Sequence, residues 1–565
     1  MALETDVRLA RQARLRYIIE ISRELGLPPE AVELYGPYKA KIRLDVLPSL
    51  PPPRARYVVV TAMTPTPLGE GKTVNTIGLA LGLNRLGRKA VCTLRQPSLG
   101  PFFGVKGGAA GGGRSQVLPM DDINLRFTGD IDAVAAAHNL LAALVDNHLH
   151  HGNRLGLDPA SISWTRCVDM NDRALRRVRV SVGEPEERET EFEIAVASEV
   201  MAILALAGSY RDLRKRLGRI LVGRTRDGRP VTAEDLKAAG AMAVLVRDAF
   251  KPNLVQTIEN TPAFIHAGPF GNIAHGNSSV VADLIAVRCA DYVVTESGFG
   301  ADLGFEKFID IKCPAAGLAP HAAVVVATVR ACKLHGGEHR VRPGRPLPDS
   351  LLRENVEEVE KGAANLAHMI SLVRRAGLPA VVGINRFPED TDREIEAVRR
   401  AARAAGAEAA EVVEAYARGG EGARALAAAV AAACDKVPAP ALRTFYDRRR
   451  PIREKIETIA REVYGAAGVD FSPGAAEEVE RWTRWGWADL PVCMAKTQLS
   501  ISHDPARRGV PSGFRVPVHA VRANPGAGFL TALLGSIMTM PGLPSSPAAE
   551  RMDIDERGNL VGVGE

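Results

Sequence analysis

Apolar residues along this chain gather in short runs, and between the runs they recur every three or four positions. The runs at Tyr57 to Ala62, Ala90 to Leu94, Ala241 to Val246, Tyr292 to Thr295, Ala322 to Val329 and Pro379 to Ile384 predict β-strands. Helical spacing follows at Val74 to Leu86, and again at 355–376 and 391–405, with a further strand at 409–413. Asp6 to Leu25 reads as one amphipathic helix, stopped by Gly26 and the Pro28-Pro29 pair. Strand and helix alternate, which predicts an α/β fold with a mostly parallel, doubly wound sheet and ligands at the carboxyl ends of its strands. A chain of 565 residues is too long for one core. The rhythm divides it at 1–350, a smaller α/β unit at 351–437 and a Pro/Gly-rich C-terminal unit at 438–565.

The connection after the first of these strands carries the strongest chemical signal. Thr64 to Thr73 reads Thr-Pro-Thr-Pro-Leu-Gly-Glu-Gly-Lys-Thr, between a β-branched strand and a helix. Strand, Gly-rich turn, Lys-Thr and helix lay backbone N–H groups and a helix N-terminus around a polyphosphate. The expected nucleotide-binding residues are Thr64, Thr66, Pro67, Gly69, Glu70, Gly71, Lys72 and Thr73, with Lys72 reaching the β/γ oxygens and the Thr73 hydroxyl on Mg²⁺. Thr66 stands where the standard spacing has its first Gly. The 1–350 region is thus expected to be P-loop NTPase-like and to bind ATP.

Composition narrows the class. The net charge of +6 is small for the length and the basic residues are scattered, which argues against a nucleic-acid partner. Seven widely spaced cysteines with no Cys-x-x-Cys pair argue against a disulfide framework and a zinc site. Glu4, Asp6 and the charged helix after them speak against a secretory signal, and no apolar run approaches ~20 residues. A cytoplasmic protein with no membrane partner is expected.

Two further segments draw attention. Gly104 to Gly113 reads Gly-Val-Lys-Gly-Gly-Ala-Ala-Gly-Gly-Gly, which permits close backbone approach to a ligand around Lys106. Tyr292-Val-Val-Thr-Glu296 ends a strand in a carboxylate, a place from which P-loop proteins orient a metal or its water. His266, His275 and His321 lack the spacing of a metal motif.

Together the Thr64–Thr73 loop, Leu94-Arg-Gln-Pro-Ser-Leu-Gly-Pro101, the Gly104–Gly113 loop, Ile123-Asn-Leu-Arg-Phe-Thr-Gly-Asp130 and Val326-Ala-Thr-Val-Arg-Ala-Cys-Lys-Leu-His-Gly-Gly337 resemble formate–tetrahydrofolate ligase. The resemblance runs from about Tyr35 to the Met538–Pro544 tail. It implies ATP-dependent ligation of formate to tetrahydrofolate through formyl phosphate, giving 10-formyltetrahydrofolate, in a homotetramer. It places Lys72, Arg95 and Lys106 in the chemistry, Arg95 as the fork that grips formate and its phosphorylated form. Phe299 matches a ring-stacking aromatic, and Tyr416, in Tyr416-Ala-Arg-Gly-Gly420, stands where its partner Trp is found.

Four departures bear on function. Gln96 replaces a Glu, Arg126 a His, Arg114 a Tyr, and Asn277-Ser278-Ser279 a Cys-Asn-Ser. The family uses a monovalent cation, and Gln96 and Arg126 make that region more positive. An Arg126 guanidinium paired with Asp130 or Asp132 is expected to stand in for the ion, so that the monovalent-cation requirement is lost. The alternatives are a ligase homologue using another pterin or carboxylate, a non-catalytic homologue, and a P-loop ATPase of the partitioning or metal-insertion kind.

Overall fold

The computed structural model describes residues 6–104, 110–183, 186–341, 346–535 and 537–562. Its centre is a twelve-stranded sheet: β1 (Val32–Leu34), β2 (Ala40–Ile42), β3 (Arg56–Ala62), β4 (Ala90–Leu94), β5 (Gly111–Gly112), β6 (Ser115–Leu118), β7 (Asn253–Thr257), β8 (Pro262–Ile265), β9 (Tyr292–Glu296), β10 (Ala322–Ala327), β11 (Ala380–Asn385) and β12 (Ala409–Val413). Their spatial order is β1-β2-β7-β8-β4-β9-β3-β10-β11-β12, with β6 alongside β7 and β5 paired to β6. From β8 to β12 every neighbouring pair is parallel. β1, β2 and β7 pair antiparallel at one edge. The mostly parallel α/β sheet follows the sequence pattern.

Successive residues of the central strands feed two separate cores, because side chains alternate across a pleated sheet. Val59, Val293, Val325 and Val382 face one core, while Val58, Val60, Val294, Val324 and Val381 face the other. The second core is closed by α1 (Lys72–Arg85) through Ile77 and Leu81 and by the helix Arg424–Asp435 through Leu426 and Val430. Both faces are covered, so the strands carry continuous apolar runs instead of polar alternation.

Several local expectations need correction. Ala241 to Leu245 lies in a helix, Ala239–Leu245, that Val246 caps, and not in a strand. A short run of alanine, methionine and valine does not distinguish a buried strand from a buried helix face. The N-terminal helix is two helices, Asp6–Gln12 and Ile18–Glu24. The segment 351–437 has no sheet of its own, because β11 pairs with β10 from Ala323↔Ala380 to Ala327↔Ile384 and carries β12 beyond it. Its βα rhythm extends the main sheet. The antiparallel pair β7 and β8 lies where no strand was expected.

After 438 the chain builds separate small sheets. Strands β13 (Gly468–Phe471) and β15 (Arg515–Val518) pair parallel, and β14 (Val492–Ala495), β17 (Phe529–Leu533) and β16 (Ala520–Asn524) form a three-stranded sheet. A buried ion pair ties this part to the large sheet. Lys496 Nζ donates to Asp302 Oδ2 at 2.7 Å, with both side chains at most 1% exposed. Among the described residues no helix is long and apolar enough to cross a membrane. All seven cysteines are free and buried.

Candidate active site

Parallel neighbours bring their carboxyl ends to one edge, and here four of them end in or run into polar residues. β3 leads into Thr64, β4 into Arg95, β9 ends at Glu296 and β11 at Asn385. The register Glu296↔Val60 sets the carboxylate two residues short of the end of β3, beside the loop that follows.

That loop, 63–71, is held at several points. The Asn365 side chain accepts from Thr64 N at 2.9 Å and donates to Thr64 Oγ1 at 2.8 Å, and His335 Nε2 lies 3.0 Å from Thr64 O. Glu70 Oε1 accepts from Thr66 N at 2.7 Å, closing the turn from inside. Asn385 Nδ2 donates to Glu70 O at 3.1 Å. Gly71, at φ 75°, is the left-handed residue before α1, and a Cβ there would come within 2.5 Å of the Asn385 amide. Only glycine meets both conditions without strain. Lys72 and Thr73 then begin the helix, with Pro67 and Gly69 exposed at the loop's outer side.

Thr73 Oγ1 donates to Glu296 Oε2 at 2.9 Å. The other oxygen of the same carboxylate, Oε1, lies 3.6 Å from Arg95 Nε. Glu296 is 7% exposed at its side chain and Arg95 is 26% exposed. The arginine therefore retains an open face while a buried carboxylate orients it. Arg95 Nη1 also points to Pro269 O, at 3.5 Å. Ser98 and Leu99 are tied down by Asp169, which accepts from Ser98 Oγ at 2.6 Å and from Leu99 N at 2.9 Å. Burial raises the Asp169 carboxyl, and these two donors oppose the rise. The structure thus brings together Thr64, Thr66, Glu70, Gly71, Lys72, Thr73, Arg95 and Glu296.

Other expected residues lie elsewhere. Lys106 and residues 105–109 of the glycine loop fall outside the described residues. The C-terminal end of that loop lies against Tyr416: Arg114 N donates to Tyr416 O at 2.7 Å, and a Cβ on Gly113 (φ 56°) would come within 2.1 Å of that carbonyl. The Tyr416 hydroxyl donates to Asp6 Oδ1 at 2.8 Å, and burial with this carboxylate pushes its pKa up to about 12. Tyr416 is 37% exposed, so part of its side chain remains open to solvent. Phe299 sits instead in the loop after Glu296, at φ 60°, with its ring against Gly271. Among the described residues Phe299 and Tyr416 make no direct ring contact, as two rings that hold a flat ligand between them would not.

The expected arginine substitute for a monovalent cation is not built. Arg126 is 76% exposed and pairs with Asp132 through Nη2 to Oδ1 at 3.0 Å, on the surface. Asp130 is buried and its charge is met by Lys41, Nζ to Oδ1 at 2.6 Å, with Asn253 Nδ2 donating to its other oxygen at 2.7 Å. Arg126 therefore reaches neither Asp130 nor a buried site. Gln96 is 3% exposed, and its backbone N–H donates to Ala267 O. The error came from reading nearness in sequence as convergence in space. Asp130 begins the helix Asp130–His150 and turns inward, whereas Arg126 belongs to the turn before it.

Three residues of the site escaped the sequence reading: Asn365, Asn385 and Asp169. Asn385 had a visible signal, a polar residue closing an otherwise apolar strand. Asn365 lies inside the helix Val356–Arg375, and only the fold brings it to Thr64.

A partly exposed arginine beside a buried carboxylate that also accepts from a threonine, next to a glycine turn and a helix N-terminus, is a grouping suited to anionic ligands. The sequence profile described as formate–tetrahydrofolate ligase matches residues 4–564. The chain is 58% identical over 563 residues to the formate–tetrahydrofolate ligase of Roseiflexus sp. strain RS-1, covering 99% of this chain and 100% of that protein. It is 55% identical over 563 residues to that of Desulforamulus reducens, covering 99% of each. It is 54% identical over 567 residues to that of Saccharopolyspora erythraea, covering 100% of each. The chain belongs to the formate–tetrahydrofolate ligase family.

Proposed function

We propose that the protein joins formate to N10 of tetrahydrofolate in a reaction driven by ATP, giving 10-formyltetrahydrofolate, ADP and phosphate. A formate oxygen attacks the γ-phosphorus and ADP leaves, forming formyl phosphate. The folate amine then attacks the formyl carbon, phosphate leaves and the amine loses its proton. The observation that carries this reading is Glu296 shared between Thr73 and Arg95. It sets a phosphate-loop hydroxyl and a carboxylate-binding guanidinium on one buried group, so the nucleotide and formate meet there.

The residues suit a P-loop role. Positioning and charge neutralisation are the main needs of phosphoryl transfer. Lys72 and the N–H groups at the N-terminus of α1 face the β/γ-phosphates, and Arg95 offers its fork to formate and later to formyl phosphate. Thr73 and Glu296 are hard oxygen donors at hydrogen-bonding distance and fit Mg²⁺, which when bound supplies charge neutralisation of the phosphates. Lys106 is the third cation of the proposal. Phe299 and the partly exposed ring of Tyr416 are the aromatics of the proposal, each offering a ring to a flat ligand group. Loss of a monovalent-cation requirement is left with Gln96 alone in its support, since Arg126 is turned to solvent.

The working units we infer are 1–437, which share the large sheet, and 438–565. Assembly as a homotetramer in the cytoplasm is the reading that family membership supports. Formate-dependent release of ADP, measured with and without tetrahydrofolate, tests the function. A ligase releases ADP at a sustained rate only with both. Turnover with formate absent, or with a different pterin preferred, would favour the alternatives.

A further inference from the structure

A cavity of about 770 Å³ opens between the 160–199 segment and the C-terminal segment 478–539, within the size range of small-molecule sites. None of the residues assigned above to nucleotide, formate or ring stacking lines it.

Its walls carry two carboxyls that form no ion pair with Lys or Arg, Glu193 and Glu199. Glu193 accepts no hydrogen bond at its side chain among the described residues. The nearest ionisable group is His138, whose Nδ1 is 3.6 Å from Glu193 Oε1. That ring is held neutral, because burial lowers its pKa to about 3 and Nδ1 already faces Ser198 Oγ at 2.8 Å. Burial pushes Glu193 up to about 8, against the opposing charge of Arg522. Glu199, 9% exposed, accepts from Ala527 N at 3.0 Å and is likewise pushed to about 8. A carboxyl raised in this way gains from any ligand that brings paired N–H donors to it.

The opposite wall is aromatic and basic. The Trp482 indole N–H donates to Val521 O at 2.6 Å, which fixes the ring, and Trp485 lies 5.2 Å from it between centroids. Arg481 covers the Trp482 ring at 5.7 Å, and Arg522 is exposed at the cavity wall. Trp482 is covered by Arg481 and Trp487, so the half-buried Trp485 is the indole that a flat ring would lie against, and guanidinium forks take carboxylates.

A carboxyl with no hydrogen-bond donor, a partly exposed indole and guanidinium groups in one cavity call for a ligand that is flat, has an amino/ring N–H edge, and ends in carboxylates. We propose that this cavity is a second binding site, for a pteridine carrying a carboxylate tail, a molecule of the folate class. Its 2-amino edge faces Glu193, its ring lies along the tryptophan wall, and its carboxylates meet Arg481 and Arg522. The ligand class comes from these walls and does not depend on the reaction proposed above. The consequence for an enzyme that uses a folate is occupancy of this site, away from the ATP loop, at high folate concentration.

All four tryptophans of the chain stand at this cavity: Trp164, Trp482 and Trp485 line it, and Trp487 packs on Trp482 at 5.5 Å. Their fluorescence therefore reports on it. The full chain is titrated with folic acid without ATP or formate, and in parallel with pterin and with p-aminobenzoylglutamate. Equilibrium dialysis counts the bound folic acid. We expect two folic acid molecules per chain and a quench that requires the pteridine ring. Glu193→Gln and Arg522→Gln should each weaken the quenching event at least tenfold and leave kcat with formate unchanged. Arg522 is exposed, so its variant remains informative where Glu193→Gln perturbs folding. Tyr416→Ala should leave the quench as it is. One molecule bound per chain, a quench produced equally by p-aminobenzoylglutamate, or variant curves that overlay the wild type would each overturn the proposal.

Discussion

The Thr73 hydroxyl donates to the Glu296 carboxylate at 2.9 Å, joining the first turn of one helix to the last residue of a neighbouring strand. Parallel pairing of β9 with β3 makes the contact possible, since Glu296 is registered with Val60 and the loop that returns to Thr73 starts just beyond. Glu296→Gln keeps the size and one acceptor but removes the charge that holds Arg95 and suits Mg²⁺. The Mg²⁺ concentration needed for half-maximal ATP binding should rise about tenfold, equivalent to ~1.4 kcal/mol. Calorimetric titration of ATP at several Mg²⁺ concentrations reads this directly. An unchanged Mg²⁺ dependence would place Glu296 outside the metal's reach.

Lys72→Ala should lower kcat by two to four powers of ten, about 3–5 kcal/mol of lost transition-state stabilisation. The fold should hold, because Lys72 lies at a helix start bounded by Gly71 and contributes no apolar side chain to either core. Steady-state rates and the melting temperature without nucleotide separate the two effects. A near-normal rate would remove Lys72 from the mechanism.

Arg95→Lys keeps a cation but loses the planar fork and the Nε that faces Glu296. The KM for formate should rise by at least tenfold while ATP affinity stays within about threefold. Loss of both in step would assign Arg95 to the nucleotide or to loop stability.

How much of this was legible in the sequence depends on the distance over which each signal acts. The loop from Thr64 to Thr73 was readable because strand, glycines, lysine and helix are consecutive, and their physics is local. Glu296 was readable as an acid closing an apolar strand. The join between β10 and β11 was not, because a continuous βα rhythm looks the same whether it extends one sheet or starts another. The helix at Ala239–Leu245 was misread for want of length, and the Arg126 substitution failed because a turn between Arg126 and Asp130 sends the two side chains to opposite environments. Asn365 donates to Thr64 across 301 residues, and no local pattern announces it.

Tyr416 links the glycine loop to the N-terminal helix through Asp6. Tyr416→Phe removes that hydrogen bond, worth about 1 kcal/mol, and keeps the ring. Pterin affinity should stay within about threefold, whereas Tyr416→Ala should weaken it roughly tenfold by removing the partly exposed ring. Equal losses in both variants would show that the hydroxyl, through Asp6 and the loop position, matters more than the ring.

Glu306 and Asp310 lie one helical turn apart in the segment after Phe299, and both are fully buried. Asp310 Oδ1 accepts from Phe445 N at 2.8 Å, so this pair sits where the C-terminal part meets the large sheet. Burial raises both carboxyls, and for Glu306 the nearby charge of Asp310 adds to the effect while Lys307 opposes it. The folded state therefore binds protons that the unfolded chain releases above a pH of about 4. By linkage, stability from this pair is fully present below that pH and falls as pH rises toward the raised values, at about 1.4 kcal/mol per pH unit for each proton retained. Asp310→Asn keeps the oxygen that accepts from Phe445 and takes one proton, and one charge beside Glu306, out of the balance. The variant should lose less stability than the wild type between pH 5 and neutrality. Glu193 and Glu199, also raised by burial, leave a residual slope in both proteins. Urea midpoints measured across this range give the comparison. A variant with the wild-type slope would mean that Asp310 is already ionised in the folded protein, compensated by Lys307 and the Phe445 N–H, and that Glu306 alone holds the proton.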